Sequence, residues 1–213
     1  MKLIKPSAEI LHINTEALAL IEKAGRVCYK SEDKITEDSA PKFAEMILKR
    51  GHESVIEHVS ATVKFICDRG VSHEIVRHRI ASYSQESTRY CDYEGGHVCF
   101  IIPLWVDIEE GIYDYKSNPA TDVGSGQWFQ SMINSELRYK ALRERAWRPE
   151  QARSVLPNSL KTEIVMTANL REFRHFFKLR TASAAHPQMV EVAKPLLAEF
   201  KNHIPILFDD INP

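Results

Sequence analysis

The chain has 213 residues, of which 44% are hydrophobic and 27% charged, and its formal net charge is −1. That profile fits a globular protein with a sizeable core and excludes a bulk nucleic-acid coat, which needs a strong positive excess. No apolar run approaches the roughly eighteen residues that a membrane span requires.

Behind Lys2 and Lys5 there is no long apolar stretch, so a secretion signal is not expected. Cys28, Cys67, Cys91 and Cys99 form no C-x-x-C pair, which argues against structural zinc and for reduced thiols in a cytoplasm. The charge is unevenly spread. Residues 138–180 hold eleven Lys/Arg against four acids. Such a local excess reads either as a focused anion site or as a solvated basic face.

No repeat, low-complexity segment or linker divides the chain, so a single domain spanning residues 1–213 is expected. A first helix is predicted from about Glu16 to Val27. A second begins after Ser39, with Pro41 in its first turn, Phe43, Met46 and Ile47 on its apolar side and Gly51 at its stop. From Val59 to Cys67 apolar and polar residues alternate, which predicts a strand with one buried face, as in an antiparallel sheet. Val71 to about Arg77 predicts a short helix, and His97 to Ile102 a strand ended by Pro103. The aperiodic stretch Asp107–Gly126 predicts a long loop. A long helix is predicted over Gln127–Trp147, with Trp128, Met132, Ser135, Tyr139, Leu142 and Ala146 as its stripe. A short helical piece follows over Glu150–Val155, and a strand over Ser159–Asn169. Leu170–Leu179 predicts a helix with Phe173, Phe176 and Phe177 inward. A last helix starts at Pro187, with Met189, Ala193, Leu196, Leu197 and Phe200 on one side. The sum is an α/β (α+β) class, an antiparallel sheet flanked by long helices.

The segment Arg77–Tyr90 carries the most chemistry. It holds three arginines, a histidine and four Ser/Thr hydroxyls in fourteen residues. A guanidinium matches phosphate oxygens two at a time, and loop hydroxyls supply further donors. If Arg77–Arg79 are helical, Arg77 and Arg79 point to nearly opposite sides. The bland alternative is an exposed basic turn followed by a serine-rich loop. Ser87 lacks an adjacent base and so reads as a phosphate contact rather than a nucleophile. Cys91 reads as packing.

Arg77-His78-Arg79, seven residues and then Ser87 resembles the signature of the flavin-dependent thymidylate synthases, and Thr88-Arg89-Tyr90 resembles its continuation. Gly51–His58, Ala152–Pro157 and Asn169-Leu170-Arg171 with Arg180 resemble further family segments in the same order. The resemblance implies the thymidylate synthase-complementing protein fold and FAD as cofactor. It implies dUMP as substrate, methylated to dTMP, with methylenetetrahydrofolate as carbon donor and NADPH as reductant. It also implies a homotetramer with sites shared between subunits. For FAD it implies His52, Ser54, Glu57, Arg77, His78, Arg79, Ile80, Asn169, His175 and His186. For dUMP it implies Glu74, Arg77, Gln85, Glu86, Ser87, Thr88, Arg89, Arg153 and Arg180. Arg180 is the catalytic candidate, stabilising charge on the uracil carbonyl–N3 edge. Glu74 stands where some relatives carry glutamine, and Gln85 where others carry glutamate. The interval from Arg180 to His186 exceeds that of several members, and His186 and Gln188 are the best matches to a flavin-contacting pair. No metal, nucleic-acid or membrane partner is expected. The competing readings are a noncatalytic nucleotide- or RNA-binding module on the basic stretch and a metal phosphohydrolase using His52, His58 and His78.

Overall fold

A computed structural model describes residues 1–212. The elements run β1 (Lys2–Ile4), β2 (Ser7–Ile13), α1 (Ala17–Val27), α2 (Ser39–Lys49), β3 (Ser60–Asp68), α3 (Arg69–Ile75), β4 (Ala81–Gln85), β5 (Cys99–Ile101) and β6 (Gly111–Ile112). They continue with α4 (Val123–Glu144), α5 (Pro149–Ala152), β7 (Lys161–Asn169), α6 (Leu170–Arg180), α7 (Pro187–His203) and α8 (Pro205–Phe208). Short 3-10 turns cover Glu32–Lys34, Glu53–His58 and Arg153–Val155. Among the described residues no helix is long and apolar enough to cross a membrane.

The chain forms two compact units. The first takes Met1–Ser7, Phe65–Arg77 and Ser84–Ile164; the second takes Ala8–Lys64, His78–Tyr83 and the chain from Val165 onward. A four-stranded sheet has the order β2-β3-β7-β4. Within the second unit Thr62 meets Thr167 at 3.0 Å and the Leu170 N–H donates to the Val59 carbonyl at 2.8 Å, so β3 and β7 run antiparallel there. Along β3, Val59, Ala61, Val63, Phe65 and Cys67 are all buried, the face that the alternation predicts.

In the first unit a three-stranded sheet has the order β5-β1-β6. The expectation of antiparallel strands meets an exception here. β1 runs parallel to β5, with Leu3 opposite Phe100, and antiparallel to β6, with Lys2 opposite Ile112. α4 lays Phe129, Met132, Ile133 and Tyr139 into a core with Leu3, Val98 and Phe100. It begins at Val123, before the predicted Gln127, because Asp122 caps it by accepting the Ser125 N–H at 2.9 Å. The two glycines of that first turn hide the periodicity. Its inward stripe is Phe129-Met132-Glu136-Tyr139 rather than one centred on Trp128, and Ala146 and Trp147 lie beyond its end. Glu136 sits on that stripe because its carboxylate accepts the Val98 N–H at 2.9 Å and pairs with Lys140 at 3.2 Å.

In the second unit α1 crosses α2 at Gly25. A Cβ there would lie 2.5 Å from Phe43 Cζ, so only glycine permits the approach. Gly51 ends the α2 region with φ +69°, a left-handed conformation that glycine adopts without strain. α6, α7 and α8 enclose an aromatic core in which the Phe173 and Phe200 rings are 4.9 Å apart and the Phe177 and Phe208 rings 5.8 Å apart.

β2 and β4 are not anticipated by the sequence, because apolar alternation is confined to Ala8 and Ile10 in β2 and to Ala81 and Tyr83 in β4, which is Ala-Ser-Tyr-Ser-Gln. β6 interrupts the loop expected over 107–126. α3 ends at Ile75, so Arg77–Arg79 are not helical and the helical fan does not apply. Instead, the turn and loop between α3 and β4 bury His78 and leave Arg77 and Arg79 exposed.

Candidate functional site

The predicted site residues gather around two clusters, one in each unit. In the second unit the organiser is α6. Asn169 caps it, its side-chain oxygen accepting the Glu172 N–H at 2.8 Å. The Glu172 carboxylate meets His78 Nδ1 at 2.9 Å, and Arg180 Nε donates to His78 Nε2 at 3.1 Å. Tyr83 O–H donates to the His78 carbonyl at 2.7 Å. The rings of His175 and Phe176 approach the His78 ring edgewise at 5.5 and 5.0 Å.

Arginine is always a donor, so His78 Nε2 must accept, and the ring proton lies on Nδ1 and points at Glu172. His78 is therefore a neutral imidazole. Its pKa is lowered, chiefly by burial and further by the Arg180 charge, against the opposing pull of Glu172. Tyr83 is pushed up to about 12 by burial and by the nearby Glu172 charge.

Beside this relay lies a cavity of about 360 Å³. Glu57, Ile80, Asn169 and His175, all singled out by the sequence, line it, and Ile80 is 68% exposed. The sequence reading misses Arg174 and Lys178, which also line the cavity. Arg174 is buried and forked onto Asp210, both bonds being 2.7 Å, with Glu53 at 3.4 Å. Arg171 pairs with Glu57. His52, Ser54, Arg77, Arg79 and His186 do not line this cavity and are exposed.

His78, Glu172 and His175 also present ligand atoms within 4.8 Å of one another, the spacing of a metal site. The chemistry of the donors disagrees. His78 has its proton on Nδ1 and a guanidinium on Nε2, so neither ring nitrogen offers a lone pair to a cation.

The cluster of the first unit surrounds a second cavity of about 350 Å³. Its lining includes Arg69, His73, Thr88, Arg153 and Asn158 and contains no carboxylate. Arg153 Nη1 donates to the buried Thr88 hydroxyl at 2.9 Å. Arg69 Nη1 is buried without a hydrogen-bond partner, a costly state for a charged donor that has no acceptor. Neither Arg69 nor His73 is singled out by the sequence, because a lone cation on a short helix gives no signal until the fold sets it beside Arg153.

Two predicted nucleotide contacts, Gln85 and Glu86, take part in a side-chain network. Gln85 Nε2 donates to Ser72 Oγ at 2.9 Å and Thr162 Oγ1 at 3.2 Å. Both Glu86 oxygens are engaged, one by the Tyr93 hydroxyl and one by Lys161 Nζ, each at 2.9 Å. Burial alone lowers the Lys161 pKa, but its bonds to Glu163 and Glu86 outweigh that and raise it. Burial and the Glu86 charge push the Tyr93 hydroxyl up. Ser87 lies in the turn, where its Oγ accepts the Arg89 N–H at 3.3 Å. Arg89 is exposed and lies over the Tyr90 ring at 5.4 Å. Glu74 is half-buried on α3.

The donor sets suit the groups that the sequence implies. A carboxylate-free pocket with two guanidiniums and a hydroxyl fits a phosphate. The α6 cavity, with an amide, an imidazole, three cations and the carboxylates of Glu53, Glu57 and Glu172, suits the mixed donors and acceptors of a flavin's polar edge rather than its diphosphate. Its volume holds only part of such a molecule.

Residues 9–206 match the family described as thymidylate synthase complementing protein. Across 198 residues the chain is 36% identical to the flavin-dependent thymidylate synthase of Pyrococcus furiosus, covering 92% of this chain and 74% of that protein. Across 202 residues it is 34% identical to the enzyme of the same name from Geobacter sulfurreducens, covering 92% and 82%. The fold is similar to the UMP/dUMP methylase PolB from Streptomyces cacaoi bound with 5-Br dUMP, with a TM-score of 0.78, 23% identity and coverage of 98% and 96%. It is also similar to thymidylate synthase X from Helicobacter pylori with FAD and dUMP, with a TM-score of 0.72, 21% identity and coverage of 97% and 98%. With sequence, fold and donor chemistry in agreement, the chain belongs to the flavin-dependent thymidylate synthases.

Proposed function

We propose that residues 1–213 act as one catalytic domain in which the cavity walled by Arg153, Arg69 and Thr88 holds the dUMP phosphate and the α6 cavity holds part of the flavin. The reaction is the family's methylation of dUMP to dTMP, with FAD as cofactor and methylenetetrahydrofolate and NADPH as co-substrates. When bound, FAD supplies the redox chemistry, passing a hydride from NADPH to the one-carbon unit that the folate delivers to C5 of the uracil. The observation that carries the assignment is the buried, partnerless Arg69 Nη1 beside Arg153 in a pocket without carboxylates. An arriving phosphate satisfies that donor and neutralises the charge.

The chain's own residues bind and orient. Ser87, Thr88 and Arg89 form the turn that grips the nucleotide, with Arg77, Glu74, Gln85 and Glu86 around it. Gln85 and Glu86 hold the turn in shape through Ser72, Thr162, Tyr93 and Lys161. Asn169, His175, Glu57 and Ile80 line the flavin side, with His52, Ser54, His78, Arg79 and His186 completing it. Arg180 stabilises negative charge on the uracil carbonyl–N3 edge. Loss of such a preorganised donor costs about a hundredfold or more in rate. The protein works in the cytoplasm as a homotetramer with sites shared between subunits and has no nucleic-acid partner. A cavity smaller than the whole dinucleotide supports shared sites.

The test has two readouts. Purified protein incubated with FAD and desalted shows absorbance bands near about 375 and 450 nm, the chromophore being the cofactor's own. In Arg153→Ala and Arg89→Ala those bands persist while dUMP affinity falls by about ten- to a hundredfold, the worth of a charge-assisted hydrogen bond. A protein that stays colourless, or variants with unchanged dUMP affinity, would refute the assignment.

A further inference from the structure

Glu172 lines the α6 cavity but not the nucleotide pocket of the first unit, and it belongs to none of the motifs that relate the sequence to its family. Yet its side chain is only 10% exposed and is bonded to His78, which accepts the Arg180 Nε–H. From this chain of contacts we infer that Glu172 is a positioning residue, which acts through His78 to fix the orientation of the Arg180 guanidinium. The inference rests on the reading that Arg180 serves the uracil.

Glu172 and Arg180 stand on the same helix, eight residues apart, which is about 12 Å of rise. They do not need to meet. His78, arriving from a different segment, spans the gap with its two ring nitrogens. The ionised carboxylate only accepts, so it draws the ring proton to Nδ1. That leaves the Nε2 lone pair for the Arg180 Nε–H. Without the carboxylate Nε2 is a weaker acceptor, because Nδ1–H no longer donates to a negative charge, and Arg180 alone opposes the tautomer that turns a donor toward a donor. The anchor of Arg180 is then weaker. The ring cannot simply swing aside, because His175 and Phe176 pack edgewise on it and Tyr83 holds its carbonyl. Anchoring through Nε uses one of five guanidinium donors and fixes the plane of the other four.

A simpler role competes. An acid in the first turn of a helix favours the helix dipole, and Glu172 occupies that turn. A helix-stabilising role predicts lower stability and an unselective loss of function. A positioning role predicts that one step of the reaction fails and the others persist.

The experiment uses the FAD-loaded enzyme with Glu172→Gln, Arg180→Lys and the double variant. Glu172→Gln keeps a hydrogen-bonding group of the same size and removes the charge. Flavin reduction by NADPH, which does not involve the uracil, is measured separately from dTMP formation under saturating dUMP. The expected result for Glu172→Gln is a retained flavin spectrum, flavin reduction within about twofold of the parent, and a kcat for dTMP lower by about ten- to a hundredfold with little change in KM for dUMP. Arg180→Lys, which has no Nε–H in that position, shows a loss of its own, and the double variant is no slower than the worse single one. If Glu172→Gln leaves kcat unchanged while Arg180→Lys lowers it, the positioning role is wrong and the assignment of Arg180 stands. If neither variant lowers kcat, the assignment of Arg180 fails and the inference fails with it. If Glu172→Gln loses FAD or thermal stability, Glu172 serves the flavin cavity that it lines or the fold, and the inference is overturned. The parent protein gives an independent check that requires no variant to fold. In ring-15N-labelled enzyme, long-range proton–nitrogen correlations of His78 place the proton on Nδ1, and a proton on Nε2 would contradict the relay.

Discussion

His78 shows how a single residue takes its chemical state from its neighbours. An arginine on one nitrogen and a carboxylate on the other require the neutral Nδ1–H form, and burial moves the pKa in the same direction. The consequence for stability has a definite sign. The folded pKa lies below the unfolded value of about 6.5, so just beneath that pH the unfolded chain binds the proton and the folded chain does not. The contribution of His78 is complete above about pH 6.5 and is lost as the pH falls through the folded pKa. The thermal midpoint of the parent therefore declines between about pH 7 and 5, and His78→Gln flattens that decline, since glutamine does not titrate. Parallel midpoint curves for the two proteins would count against the assignment. Asp92 and Asp210, lowered by their arginine partners Arg143 and Arg174, lose their contributions only in more acidic solution, below the ordinary carboxylate range.

At the scale of elements, legibility follows amphipathicity. β3, α2, α6 and α7 are legible because each buries one face and exposes the other, so composition alternates at the period of the element. β2 has no fully buried residue and β4 is rich in hydroxyls, so the pattern in each is short and weak; both exist through pairing in the sheet. Glu172 is hidden for another reason. The spacing Asn169-x-x-Glu172 is a helix-start signature, and that role accounts for the residue before any second one is considered. The crossing of α1 and α2 is set by Gly25, whose missing Cβ admits the Phe43 ring. Gly25→Val forces that ring and both helices to shift and is expected to cost about 1–3 kcal/mol, read as a lower urea midpoint. An unchanged midpoint would mean that the helices separate without penalty.

Across the whole molecule, the basic excess of residues 138–180 does not converge on one anion. Arg143 pairs with Asp92 and Glu94, Lys161 with Glu86 and Glu163, Arg171 with Glu57, and Arg174 with Asp210 and Glu53. Most of the charge is thus spent on ion pairs, and Arg153 stands out by lining a pocket with no acid in it. The proposed tetramer makes its own prediction. Light scattering should give a mass four times that of the 24.4 kDa chain. Dilution that dissociates the assembly should release flavin and activity together, because shared sites are dismantled with the interfaces. A monomer that retains both would rule out shared sites.

Sequence by itself determined the class of the protein, the faces of its long elements and the identity of the guanidinium-and-hydroxyl turn. These depend on local periodicity and on short motifs, which are contiguous in the chain. Only the tertiary structure decided which cations face an acid and which face a cavity. It also set Glu172, His78 and Arg180 in one line and brought Arg69 beside Arg153. Ionisation, tautomer and donor satisfaction are properties of neighbours in space, and the neighbours here come from segments up to 121 residues apart in the chain.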